Sequence, residues 1–331
     1  MTERAAYGPD GGLVYAIGMR RRFRGIRIRE GMIWRGSAGW AEWSPFLDYG
    51  PEESVAWLRA AIEAAEEGWP APVRSRVPVN CTIPAVGAEE AHRLTVTSGC
   101  RTAKVKVAET GQSVAEDCAR LEAVRDALGS SGRLRVDANG AWHAETALAA
   151  IREFGRFDLE YVEQPCASVE DLAELRLRLA RAGLQVLIAA DESIRRSDDP
   201  YRVAELGAAD VAVLKVQPLG GVRACLEIAD RIGLPVVVSS ALETSVGIRA
   251  GLALAAALPE LPYACGLNTV ALLERDVADP PLLAIGGELA VSDLEIDPGR
   301  LAAASAPERV TAAWRQRLGQ VRSLLSEAVR A

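Results

Sequence analysis

The chain has 331 residues, 49% of them apolar and 25% charged, an ordinary globular composition with room for one large domain and a smaller one. Its net charge of −7 argues against nucleic acid or an anionic membrane as the main partner, and no apolar run reaches the roughly 18–20 residues of a membrane span. Six scattered cysteines without a C-x-x-C pair, and no basic-then-apolar leader, lead us to expect reduced thiols in a cytoplasmic protein.

In chain order, Val14–Met19 and Phe23–Arg29 read as a hairpin whose turn carries Arg20, Arg21 and Arg22. Trp40–Trp43 reads as a third strand and Glu52–Glu67 as a helix, with the Pro-rich stretch Trp69–Arg76 as the linker. From Val79 onward, short β-branched runs alternate with amphipathic stretches. The strand candidates are Val79–Pro84, Ala103–Val107, Leu134–Ala138, Leu159–Glu163, Val186–Asp191, Val211–Val216, Val236–Ser239 and Tyr263–Leu267. Helices are predicted between them, among others at Ser113–Leu128, Ala144–Phe154, Ser168–Ala182, Val222–Ile232 and Ser245–Leu258. Eight strands alternating with helices imply a parallel sheet closed into a barrel. After Gly287 this period is lost; Glu288–Ser292 would return to the small domain and Pro307–Val329 would be a helix. The expected fold is α/β: an α+β capping domain (residues 1–76), a (β/α) barrel (77–286) and a C-terminal segment (287–331) that returns to the cap.

Five ionisable residues fall at the ends of consecutive strand candidates: Lys106, Asp137, Glu163, Asp191 and Lys215, each about one βα unit from the next. A barrel gathers such residues on one rim, where its active sites lie. One strand-end charge would ordinarily just meet solvent, but three successive carboxylates repel unless a cation sits among them. Oxygen ligands of that kind suit Mg²⁺, with Mn²⁺ as the alternative. Lysines beside such a site and partly desolvated are usable bases. Together the parts suit removal of a proton next to a carboxylate. Strand side chains alternate with period two, so Lys104 shares a face with Lys106, and Arg135 and Asn139 share one with Asp137.

Thr102-Ala-Lys-Val-Lys106, Val136-Asp-Ala-Asn139, Val162-Glu-Gln-Pro165, Ala190-Asp-Glu-Ser193 and Leu214-Lys-Val-Gln-Pro218 resemble the motifs of the enolase superfamily, in its muconate-lactonizing-like branch. Gly39-Trp-Ala-Glu-Trp-Ser-Pro45, Arg135–Trp142, Val238–Ser245 and Gly266-Leu-Asn-Thr269 are most similar to the o-succinylbenzoate synthases of menaquinone synthesis, a resemblance covering nearly the whole chain. It implies a barrel of the modified TIM type and a syn-dehydration of 2-succinyl-6-hydroxy-2,4-cyclohexadiene-1-carboxylate. Lys106 would take the α-proton and return it to the departing hydroxyl, Lys215 would steady the anion from the opposite face, and Lys104 would tune Lys106. Asp137, Glu163 and Asp191 would hold the metal.

For substrate contacts the same resemblance offers Ser239 and Ser240, which otherwise merely cap local amides. The Arg20–Arg22 turn, Arg22 included, matches a flexible covering loop, a solvated basic turn being the alternative; Arg135 and Asn139 complete the candidates. Trp43, Phe46 and Tyr49 fall in a second such loop, where they would exclude water or pack the domains together. His92 and His143 are the only histidines, and neither falls at a late strand end, so a mandelate-racemase-like His–Asp pair is missing. Leu267, Asn268 and Thr269 stand where dipeptide epimerases carry Asp-x-Asp, and no G-x-G-x-x-G follows a strand. Relatives usually carry a further helical stretch after the Glu52–Glu67 helix; its lack here suggests a trimmed cap and favours a monomer. An N-succinylamino acid racemase, which needs Lys106 and Lys215 to exchange protons on opposite faces, remains a second reading, and a non-catalytic binding protein on the same barrel a third.

Overall fold

The computed structural model describes residues 8–196 and 200–330. Its N-terminal part is built on a long hairpin, Leu13–Phe23 (β1) and Ile26–Arg35 (β2), which Trp40–Trp43 (β3) extends to a three-stranded antiparallel sheet. Arg24 and Gly25 turn the hairpin with φ of 49° and 76°. A two-residue hairpin loop of type I′ needs left-handed backbone at both positions, and glycine supplies one at no steric cost. This corrects the expected turn: the run Arg20–Arg22 lies within β1. There the register jumps from Gly18↔Ile28 to Phe23↔Ile26, leaving Met19–Arg22 bulged opposite Arg27.

Glu53–Ile62 (α1) follows, widening to a π-helical turn over Glu63–Glu67 that stops at Gly68, φ 68°. The C-terminal helix Glu308–Arg330 lies against this part of the molecule. Its Trp314, Leu318 and Val321 join Trp43, Trp57 and Met32 in one buried apolar cluster, and Trp314 meets Trp43 edge to face at 5.3 Å. Arg76–Pro78 (β4) pairs with Glu288–Ala290, and Leu289 belongs to the barrel's apolar layer; Glu288–Ala290 thus joins the foot of the barrel and adds no strand to the cap sheet.

The barrel strands are Cys81–Ile83 (β5), Thr102–Lys106 (β6), Arg133–Asp137 (β7), Leu159–Glu163 (β8), Leu187–Ala190 (β9), Val211–Lys215 (β10) and Val236–Ser239 (β11). They form one parallel sheet in chain order. Period-two alternation decides what each strand contributes. Ala103, Val105, Leu134, Val136, Val162, Ile188, Leu214 and Val238 face the helices and make the main apolar layer with residues such as Leu121, Ile151 and Leu175. The alternate positions point into the barrel. There the lower level is filled by Tyr161, Ala189, Val211, Val213 and Val237, while charged residues occupy the upper one.

The eighth strand expected at Tyr263–Leu267 is reduced to two bridging residues. Cys265 pairs with Val79 and Gly266 with Ser239, and main-chain bonds from Cys265 to Pro78 and from Gly266 to Val238 close the ring across the gap between β5 and β11. Gly266 is required there, since an added Cβ would stand 2.6 Å from the Ser239 hydroxyl oxygen. All six cysteines are buried free thiols. No helix among the described residues is long and apolar enough to cross a membrane.

Candidate active site

Four of the five rim residues end a strand and the fifth directly follows one. Lys106 is the last residue of β6, Asp137 of β7, Glu163 of β8 and Lys215 of β10, while Asp191 follows β9 and opens the short helical turn Glu192–Arg195. The sheet order makes β6 and β10 four strands apart in an eight-position ring, so the two lysines face each other across the mouth. Asp137 and Glu163 are paired in register, and all three carboxylates are buried to about 1% exposure. Lys104 Nζ bridges Asp137 Oδ2 at 3.1 Å and Glu163 Oε1 at 2.5 Å. Lys106 Nζ donates to Asp137 Oδ2 at 2.6 Å and to Asn139 Oδ1 at 2.5 Å; Lys215 Nζ donates to Asp191 Oδ2 at 2.6 Å.

Burial would raise these carboxyls, yet they end in different states. The ammonium groups of Lys104 and Lys106 outweigh it at Asp137 and hold that carboxyl well below its usual range. Lys215 and Arg195 do the same at Asp191, to about 2. At Glu163 burial wins and the carboxyl is pushed up to about 7. Burial also lowers the proton affinity of Lys215, with Arg195 adding to it, whereas Asp137 and Glu163 overcome burial at Lys104 and keep its ammonium charged.

Above these groups lies a cavity with about 50 Å³ of enclosed space, open towards the cap. Lys104, Lys106, Asp137, Asn139, Lys215, Ser239 and Ser240 line it, whereas Glu163 and Asp191 are not part of its lining. Ser240 shares a hydrogen bond with the Thr269 hydroxyl at 2.7 Å, so no local amide holds it. Two substrate-contact candidates lie elsewhere. Arg22 bonds the Gly25 carbonyl on the hairpin surface, because the bulge moves the arginine run away from the turn. Arg135 is fully buried one level beneath Asp137, donating to Glu160 at 2.5 Å and the Ala264 carbonyl at 2.7 Å and stacking on Tyr161; it plugs the barrel interior.

The cavity instead takes its cationic wall from Arg24, at the true hairpin turn, and from Arg195, which reaches back one helical turn to Asp191 Oδ1 at 3.1 Å and donates to Glu192 and the Tyr49 hydroxyl. The Arg24-Gly25 pair was the available signal for the first; the i, i+4 spacing from Asp191 was the signal for the second. The aromatic loop divides its work. Phe46 lines the cavity beneath the Arg24 guanidinium at 3.9 Å, whereas Trp43 is packed in the apolar cluster. His92 pairs with Asp126 at the surface and His143 is exposed ahead of a helix, so neither reaches the site.

Residues 87–300 match the family described as Enolase C-terminal domain-like, and residues 14–65 match Enolase N-terminal domain-like. The chain belongs to the enolase superfamily. Within that superfamily it is 60% identical over 319 residues to an o-succinylbenzoate synthase of Thermobifida fusca, covering 96% of this chain and 98% of that one. It is 51% identical to an o-succinylbenzoate synthase of Mycolicibacterium smegmatis, covering 94% and 95%. A muconate lactonizing enzyme from Pseudomonas fluorescens, complexed with muconolactone, shares the fold with a TM-score of 0.75 at 23% identity, over 89% of this chain and 98% of that one.

Enzymes of this superfamily are generally dependent on a divalent metal. Among the described residues no three His, Cys, Asp or Glu side chains converge at metal-holding spacing, because the carboxylates are turned onto lysine ammonium groups. Their chemistry nevertheless fits a hard divalent cation. Asp137, Glu163 and Asp191 offer only oxygens, from neighbouring strands, and the Asp137–Glu163 pair already brackets one positive charge at Lys104 Nζ.

Proposed function

We propose that this chain is an o-succinylbenzoate synthase, a hydro-lyase that removes water from 2-succinyl-6-hydroxy-2,4-cyclohexadiene-1-carboxylate to give 2-succinylbenzoate for menaquinone biosynthesis. The observation that carries the proposal is the placement of Lys106 and Lys215 across one cavity from each other, over three buried carboxylates.

Asp137, Glu163 and Asp191 would hold Mg²⁺, or Mn²⁺ in its place, and the bound ion would supply positive charge to the substrate carboxylate as electrons move onto it. Lys106, as the neutral amine, removes the proton α to that carboxylate. The electron pair then expels the ring hydroxyl on the same face as the ring becomes aromatic. The Lys106 ammonium gives its proton to the departing oxygen, which leaves as water, so the amine is restored. Lys104 stays charged between its two carboxylates and disfavours protonation of its neighbour. Lys215 stands on the other face as a fixed positive charge for the anion. Arg24, with Ser239 and Ser240, is suited to the second carboxylate, the succinyl one. We extend the proposal to a monomeric, cytoplasmic enzyme, for which sedimentation is the check on size.

The test is turnover of the cyclohexadiene beside N-succinylamino acids, with and without chelator. Rapid dehydration that stops on chelation and returns with Mg²⁺ or Mn²⁺ is the expected result. Full turnover in metal-free buffer, or racemisation with no dehydration, would refute it.

A further inference from the structure

Arg29, on β2 of the cap, is 2% exposed, and among the described residues its guanidinium donates only to main-chain carbonyls. Nε reaches Leu242 at 3.2 Å, Nη2 reaches Ala241 at 3.1 Å and also Ser44, and Nη1 reaches Glu30 at 2.9 Å. Its central carbon, Cζ, lies 4.5 Å from the centre of the Phe46 ring. Buried Glu42 and Glu243 balance its charge through space without a hydrogen bond to it, so its donors are left for the main chain and what they hold is informative.

It holds two walls of the active-site cavity. Ser239 ends β11 and Ser240–Leu242 is the loop after it, and all four residues line the cavity. That loop is not at rest on its own: Leu242 has φ 65°, a left-handed conformation a branched aliphatic residue adopts only under outside constraint. The carbonyls at Ala241 and Leu242 are the groups Arg29 binds. The second wall is Phe46, whose chain is fixed two residues earlier by the Arg29 bond to Ser44 and by Gln217 Oε1 accepting from the Ser44 amide at 3.2 Å. Lys106, Asp137, Glu163 and Asp191 receive no bond from Arg29.

We infer that Arg29 is a positioning residue that sets the end of the cavity where the substrate's remote carboxylate binds, by clamping the strained Ser240–Leu242 loop to the cap. Five donors in a rigid planar fork span carbonyls from separate segments, which a lysine's single ammonium cannot do. The inference rests on the dehydratase reading, and its test separates the two.

The experiment compares wild type with Arg29→Lys and Arg29→Ala, reading kcat, KM and calorimetric affinity for 2-succinylbenzoate. In Arg29→Lys, KM is expected to rise and product affinity to fall by roughly tenfold or more, while kcat stays within about threefold, because only the remote end is misplaced. The rise in Tm on adding Mg²⁺ should match wild type. In Arg29→Ala, millimolar methylguanidinium should restore product affinity. If Arg29→Ala does not fold, Arg29→Lys alone decides. An Arg29→Lys protein with KM and product affinity within about twofold of wild type would overturn the inference, on the scale a misplaced loop should cost. So would one that no longer folds, because holding the fold would then be the residue's task. Absence of dehydration by wild type would sink the function reading instead, leaving product affinity to judge Arg29.

Discussion

The lysines of the cavity sit in different electrostatic company, and that difference makes their substitutions informative. Lys104 is locked as ammonium between Asp137 and Glu163, whereas burial lowers the proton affinity of Lys215. Lys106 is within 2.6 Å of Asp137 and 2.5 Å of Asn139, poised at the rim. Lys106→Ala is expected to lose roughly three orders of magnitude in kcat, towards the upper end for a general acid–base group. Lys106→Arg should be nearly as inactive, because guanidinium does not release its proton; a variant dehydrating within about tenfold of wild type would remove Lys106 from the acid–base role. Lys215→Arg keeps a charge but cannot shuttle a proton. It should retain part of any dehydration and abolish any racemisation, and the reverse pattern would exclude a purely electrostatic role. These five rim groups were legible in the sequence because each lies at or just past a strand end and the strands recur at one βα unit. Arg135 was misjudged for the same reason it was noticed. Period two tells which face a side chain takes, but not the level within the barrel at which it sits, and Arg135 lies one level too deep.

The β1–β2 hairpin shows how one glycine fixes which arginine reaches the site. Gly25 has φ 76° and open space where a Cβ would go, so replacing it carries only a backbone cost. Gly25→Ala is expected to cost roughly 1 kcal/mol locally and, by loosening the turn beside Phe23 and Arg24, to raise KM while kcat holds. A KM equal to wild type would show that the hairpin tip does not shape the cavity. The sequence displayed the hairpin and its basic run, but the bulge at Met19–Arg22 is a register event set by pairing with β2, and no local pattern announces it. The barrel's last strand reads too long in the sequence for the same kind of reason. Tyr263–Leu267 carries strand-like residues, yet only Cys265 and Gly266 make bridges before the chain turns into the Asn268–Leu272 helical turn. Conversely, β8 and β11 appear with the predicted bounds, since each is a short β-branched or aromatic run with clear flanking breaks.

At the scale of the molecule, the cap and the barrel are joined through buried carboxylates. Glu42 of β3 accepts from Tyr15 at 2.7 Å, from the Thr244 hydroxyl at 2.6 Å and from the amides of Thr244 and Gly247 at 3.1 and 3.0 Å, so a cap residue closes the N-terminus of the barrel helix Ser245–Ala257. Glu243, also buried, accepts from the Ala241 amide at 2.6 Å and is pushed up to about 7, first by burial and then by Glu42; Arg29 opposes the shift. The folded protein therefore binds a proton at Glu243 that the unfolded chain has released above about pH 4.3. Stability from this group is complete at lower pH and is lost as pH rises from there through about 7. Glu243→Gln keeps the acceptor without the charge. In metal-free buffer it should stabilise the fold by on the order of 1–3 kcal/mol near pH 8 and change little near pH 5. Glu163 titrates in the same window, but it does so in both proteins, so the difference between their urea midpoints isolates Glu243. A substitution with the same effect at both pH values would mean that Glu243 stays ionised in the folded state, with the cap–barrel junction tolerating two buried charges.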